Sequence, residues 1–165
     1  MSINAEIISV GSELLLGQIA NTNAQWLSNK LAKIGINVFY HHTVGDNFVR
    51  LESVMKLAQD RSDLVIVTGG LGPTDDDLTR DVAKKILQQE LVIDENILQK
   101  VKQYFLKNNI KMSENNKKQA LVFKGATVFS NTEGMAPGMF VDHHDVGWIF
   151  LPGVPREMKA IMEQE

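Results

Sequence analysis

Cysteine is absent from this chain, so disulfides, thiolate metal sites and cysteine nucleophiles are excluded. That absence fits a cytoplasmic protein, which is the expected location. An excess of charge is missing too. The 17 Lys and Arg stand against 20 Asp and Glu, and a net charge of -3 gives no support to nucleic-acid binding by bulk electrostatics. Met1 to Glu6 lacks a basic region followed by a long apolar stretch. No signal peptide or membrane-spanning helix is therefore expected, and no membrane partner. There is no internal repeat, low-complexity tract or linker. The four histidines show no metal-ligand spacing, and Ser12 lacks the Gly-x-Ser-x-Gly elbow of a serine hydrolase. The methionines and aromatics read as core.

What remains is ordinary for one soluble globular domain over residues 1–165, with 44% hydrophobic and 22% charged residues. A chain of this size buries about 70% of its unfolded surface on folding. Glu165 falls inside or just after a helix, which reads as a piece of a longer protein.

Strands and helices alternate along the first two thirds. Ala5 to Val10 reads as a strand ending at Gly11. Thr22 to Gln25 has capping-box spacing ahead of Leu27, Leu31 and Ile34, with Gly35 as the stop. A second strand runs from Ile36 to Val44, and Leu51, Val54, Met55 and Ala58 mark the next helix. The β-branched run Leu64 to Thr68 is the third strand. Val82, Ala83, Ile86 and Leu87 define a third helix, and Asp94 caps a fourth. Lys111 to Lys118 is loop with a short helix from Ser113. Thr127 to Phe129 is a short strand. Met139 to Val141 and Trp148 to Leu151 form a hairpin around Asp142 to Asp145, and Pro155 opens a terminal helix. The alternation predicts an α/β fold, a three-layer α/β/α sandwich with a mostly parallel sheet. Right-handed crossovers then place the loops at Gly11, Gly45 and Gly69 along one edge, where open α/β sheets bind ligands.

The stretch Val65 to Thr79 (VIVTGGLGPTDDDLT) is the most informative. A buried strand ends at Thr68 and runs into Gly69, Gly70 and Gly72, which let backbone approach a ligand. Thr74 and the carboxylates Asp75, Asp76 and Asp77 follow, then a helix from about Thr79. Amides at a helix start favour phosphate, and carboxylates beside phosphate call for a hard cation such as Mg²⁺. The plainer reading is a glycine turn with an Asp cap. No Gly-Lys-Ser/Thr follows, and Asp75 stands where a third dinucleotide-loop glycine belongs.

Ser12-Glu13 and Asp46 are expected at the same edge. Glu13 is either a ligand contact or a solvated loop residue. Asp46 is either a metal ligand or base, or the cap of the next helix. Residues 131–138, ending at Gly138, form a pocket wall or a tight turn. Pro152-Gly153 starts a segment that either cradles phosphate, with Arg156 pairing to it, or simply begins a helix.

Five motifs occur in order: Gly11–Gly17 (GSELLLG), Asn21–Asn23 (NTN), Gly69–Thr79 (GGLGPTDDDLT), Gly134–Gly138 (GMAPG) and Leu151–Met158 (LPGVPREM). Together they resemble the N-terminal domain of the competence/damage-inducible CinA proteins. That domain is similar to the molybdopterin-binding fold of MogA, MoaB and MoeA. The resemblance implies metal-dependent hydrolysis of ADP-ribose to AMP and ribose 5-phosphate, with Mg, Mn or Co as the divalent cation. It also implies a C-terminal amidase domain with no counterpart here. The relatives use an Asp ending the second strand and one after the glycine loop, matching Asp46 and Asp77; the CinA pattern adds Asp76. The expected catalytic and metal residues are thus Asp46, Asp76 and Asp77. Gly11, Ser12, Glu13, Thr68, Gly69, Gly70, Gly72, Thr74, Gly138, Pro152 and Gly153 are the expected ligand contacts. The alternative function is binding of molybdopterin or a nucleotide without hydrolysis. Proteins of this fold often self-associate, so a homo-oligomer is also expected.

Overall fold

The computed structural model describes residues 3–164. Its central sheet has the strand order β2-β1-β3-β8-β7-β6. The first three strands are β1 (Asn4–Val10), β2 (Asn37–Val44) and β3 (Leu64–Thr68). β6 (Thr127–Phe129), β7 (Gly138–His143) and β8 (Val146–Leu151) complete the sheet. β2, β1, β3 and β8 run parallel, and β7 and β6 add on antiparallel.

β1 and β3 are buried without alternation because both faces of the sheet are covered, even at the polar Glu6 and Ser9 of β1. On one face, Ile8, Val65, Val67, Trp148 and Phe150 pack with α3 (Phe48–Gln59) and α4 (Thr79–Leu87). On the other, Ala5, Ile7, Ile66 and Leu151 pack with α2 (Thr22–Lys33) and α6 (Pro155–Gln164). The expected three-layer α/β/α sandwich is therefore present.

Helix starts differ from expectation by single residues. Asn21 caps α2 by accepting from Ala24 N at 3.2 Å, so Thr22 is the first helical residue rather than the cap. Asn47 caps α3 by accepting from Arg50 N. Asp94 caps α5 (Glu95–Lys107) as expected. The region read as a loop at Ser12-Glu13 is a four-residue helix, α1 (Ser12–Leu15). A small antiparallel pair, β4 (Leu91–Ile93) with β5 (Leu121–Phe123), lies outside the main sheet and was not anticipated. Between α5 and β5 the chain forms a 3-10 helix, Glu114–Ala120.

The connection from β1 leads to β2 on one side, while β3 lies on the other. The loops after β1 and β3 thus diverge, and the crevice between their carboxyl ends is the topological switch point. The Pro152-Gly153 turn joins that edge because β8 is parallel to β3.

Candidate functional site

The glycine loop is shaped by contacts only glycine permits. Gly69 and Gly70 have φ of 102° and 67°. A Cβ on Gly69 would strike the Val10 carbonyl, and one on Gly70 the Thr79 hydroxyl. Thr79 closes the loop from below. Its hydroxyl donates to Gly69 O at 2.8 Å and its N–H to Gly70 O at 3.2 Å. Gly153 adds the third wall, where a Cβ would stand 3.2 Å from Gly69 Cα.

The acidic residues after this loop do not cap α4, which has no side-chain cap. Asp77 turns back instead. Its Oδ2 accepts from Thr74 N at 2.9 Å and Thr74 Oγ1 at 2.6 Å. Asp75 points outward to Lys118 at 3.0 Å. Asp76 is exposed. Asp46 is not the cap of α3 either. Its Oδ2 accepts from Ser12 N and its own N–H donates to Ser12 Oγ, both at 3.0 Å, which ties the loop after β2 to the loop after β1.

A cleft of about 660 Å³ opens at this edge. Glu13, Gly70, Gly72, Asp77, Pro152 and Gly153 line it, so six of the expected residues converge. Thr68 and Gly153 also line a smaller adjoining cavity. Asp46, Asp76, Ser12 and Thr74 are not among the cleft walls. Gly11 and Gly69 act through close packing: the Glu13 carboxylate lies 2.6 Å from where a Gly11 Cβ would be. Gly138 belongs to the core. It opens β7, and a Cβ there would meet Ile161 and Phe129 at 3.0 and 3.2 Å. Arg156 pairs with Glu133 at 2.8 Å rather than facing the cleft. Among the described residues, no three His, Asp or Glu side chains are gathered as a ready metal cage.

Several site residues were missed in the sequence. Arg80 is 5% exposed beneath the loop; its Nη1 donates to Leu71 O at 2.6 Å and its Nε to Leu121 O at 2.9 Å. Burial pushes its guanidinium down to about 10 against the pull of Asp77 and Asp81. A positive residue in the first turn of a helix opposes the helix dipole, and that was the available signal. Tyr104, Gln119, Met135 and Glu157 also line the cleft. No periodicity announces this, because Tyr104 comes from the outer side of α5. Asn131 shapes the facing loop. Its Oδ1 accepts from Glu133 N and Gly134 N, and its Nδ2 donates to Ala136 O and Glu157.

This arrangement defines a class: an open α/β domain with a cleft at the carboxyl ends of its parallel strands. The chain belongs to the family described as "probable molybdopterin binding domain", whose model matches residues 6–165. It is 56% identical over 163 residues to a competence-damage inducible protein of Halalkalibacterium halodurans, covering 99% of this chain. It is 57% identical over 159 residues to one from Geobacillus, covering 96%. The chain spans 39% and 38% of the length of those curated relatives. Among solved structures it is similar to CinA of Thermoplasma acidophilum. That match has 35% identity and a TM-score of 0.88, covering 99% of this chain and 95% of that one. MoaB of Thermus thermophilus, at 19% identity and a TM-score of 0.64 over 98% and 87% of the two chains, shares the fold. Both the CinA resemblance and the MogA/MoaB-like fold expected from the motifs are thereby established. No helix among the described residues is long and apolar enough to cross a membrane.

Proposed function

We propose that the domain binds a phosphorylated nucleotide in the 660 Å³ cleft together with a divalent cation, and hydrolyses its pyrophosphate, with ADP-ribose giving AMP and ribose 5-phosphate. One observation carries this reading: a glycine loop suited to phosphate shares its cleft with the acidic residues Glu13 and Asp77. Phosphate and carboxylate repel unless a cation lies between them. Mg²⁺ typically takes only one or two protein carboxylates and completes its shell with substrate phosphates and water. The residues present fit such an ion without a three-carboxylate cage. Asp77 would hold it, with Glu13 the second carboxylate of the cleft.

A bound cation would offset charge on the phosphoryl oxygens and make water more acidic. The chain's own contributions are positional. Gly70 to Gly72 bring backbone against the phosphates, and buried Arg80 holds that loop through Leu71 O while adding positive charge behind it. Thr74 fixes the rotamer of Asp77 through two hydrogen bonds. In this geometry Asp46 and Asp76 act through the loops they belong to, not as ligands in the cleft.

A second reading, binding of molybdopterin or a nucleotide without hydrolysis, is favoured by the family's own description. Incubating the domain with ADP-ribose and Mg²⁺, Mn²⁺ or Co²⁺, followed by an assay for AMP, separates the two. Metal-dependent AMP supports hydrolysis. Saturable calorimetric binding of AMP, ADP-ribose or a pterin without product supports the binding domain.

A further inference from the structure

A cavity of about 50 Å³ opens beside the cleft, between the ends of β1 and β3 at the switch point. Ser9, Asn21, Asn23 and Thr68 supply its polar wall, and Glu13 belongs to both cavity and cleft. Most of these groups are already partnered. Asn21 Nδ2 donates to Ser9 Oγ at 2.9 Å, and Asn21 Oδ1 accepts from Ala24 N. Thr68 Oγ1 donates to Pro152 O and accepts from Asn23 Nδ2, both at 3.0 Å. Thr68 is therefore a support for the wall and not a free ligand contact. Asn23 Nδ2 gives its other hydrogen to Gly153 O at 2.8 Å.

The exception is Asn23 Oδ1. The residue is 7% exposed, and this oxygen is buried without a hydrogen-bond partner. Turning the amide over does not help, because the oxygen would then face the Gly153 carbonyl, acceptor against acceptor. A buried acceptor without a donor is costly, and native proteins rarely leave one. The carboxylate of Glu13, which lines the same cavity, is a second acceptor. Space of this size holds a few water-sized groups, enough for a hydroxyl or amino group but not for a fused ring.

We propose that this cavity reads an uncharged hydrogen-bond donor on the cleft ligand, a hydroxyl or an exocyclic amino group, through Asn23 Oδ1, with Glu13 lining the same cavity. The inference rests on the nucleotide reading above and gives it a polarity: phosphate at the glycine loop, donor group at Asn23. It also assigns a role to the Asn-Thr-Asn motif, whose first Asn caps α2 and whose third position faces the ligand.

The test is calorimetric titration of the unaltered chain with AMP, 2′-deoxy-AMP, 3′-deoxy-AMP and IMP in the presence of Mg²⁺. The analogue lacking the donor should bind about tenfold more weakly, the scale of one lost hydrogen bond. Weakening with a deoxy analogue assigns the ribose; weakening with IMP assigns the purine amino group. Asn23→Leu should erase the discrimination. The ratio is read within each protein, so a general loosening of the variant does not mimic that result, and the unaltered chain decides alone if the variant does not fold. Equal binding of all four nucleotides, or discrimination that survives Asn23→Leu, overturns the subsite and leaves the nucleotide reading standing. Binding of none of them overturns both.

Discussion

The two ends of the parallel strands treat charge in opposite ways. At the amino end, Glu6 on β1 is wholly buried and its carboxylate is fully engaged. Arg61 donates to it through Nε at 3.0 Å and Nη2 at 2.8 Å, Ser62 Oγ donates at 3.1 Å, and His42 Nε2 lies at 2.5 Å. The Arg61 guanidinium also stacks 3.5 Å from the centre of the Tyr40 ring. At the carboxyl end, Glu13 and Asp77 face an open cleft, and the nearest buried cation, Arg80, binds backbone carbonyls instead of either one. Buried charges tolerated for structure come with their partners. Carboxylates left facing a cavity beside a glycine loop suit a partner that arrives from outside. His42 belongs to this closed cluster through Glu6, and its neighbour His41 is paired with Ser28 Oγ at 2.8 Å.

The sharpest way to break this contrast is Arg80→Met. It leaves the Leu71 and Leu121 carbonyls without their donor, and unfolding in urea should show a loss of about 3 kcal/mol. It should also weaken nucleotide binding, because the glycine loop loses its anchor. Next is Asp77→Asn, which keeps an acceptor for Thr74 but removes the charge. AMP formation should fall roughly a hundredfold on the scale of one lost electrostatic stabiliser, with the melting temperature nearly unchanged. A folded and fully active Asp77→Asn protein would remove Asp77 from the site.

Glu6→Gln tests the closed end and should cost on the order of 2 kcal/mol, since hydrogen bonds to a charged group are lost. Glu6 also predicts a pH dependence. Burial pushes its carboxyl up, but hydrogen bonds from Arg61 and Ser62 and the charges of Arg61 and His42 outweigh that and hold it below its ordinary 4.5. The folded state thus binds this proton more weakly than the unfolded state. The stabilisation is present above pH 4.5 and fades as pH falls through the lower folded value. Acid titration of stability should lose that component in Glu6→Gln. The smallest effect belongs to Asp75→Asn. Its partner Lys118 is a surface contact and the Asp75 side chain is 87% exposed, so neither melting temperature nor AMP yield should move. A large drop would mean that the outward-facing acidic residue shares the work assigned to Asp77.

Much of the framework was legible because burial writes itself into composition. Leu64–Thr68 matches the observed β3 residue for residue, since a strand covered on both faces commonly reads as a near-continuous apolar run. Asp94 was readable as a cap because its side chain bonds locally to Ile97 N. Asn21 and Thr22 are both good caps, and sequence cannot rank two adjacent acceptors when the choice depends on where the backbone turns. β4 and β5 are three residues long, as is β6, so no period marks them, and only their pairing across the chain makes them strands.

The glycine loops, the acidic stretch and the alternation of strand and helix determined the fold class, the family and the sheet edge that carries the cleft. Those features act over short stretches, through backbone freedom and hydrophobic period. Only the tertiary structure separated Asp77, which faces the cleft, from Asp46, which binds Ser12, and from Gly138, which packs in the core. It alone set β8 parallel to β3, and so brought Gly153 against Gly69 and Asn23 onto Gly153 O and Thr68 Oγ1. Those relations join residues as much as 130 positions apart, and no local pattern encodes which distant groups the packing of a sheet will bring together.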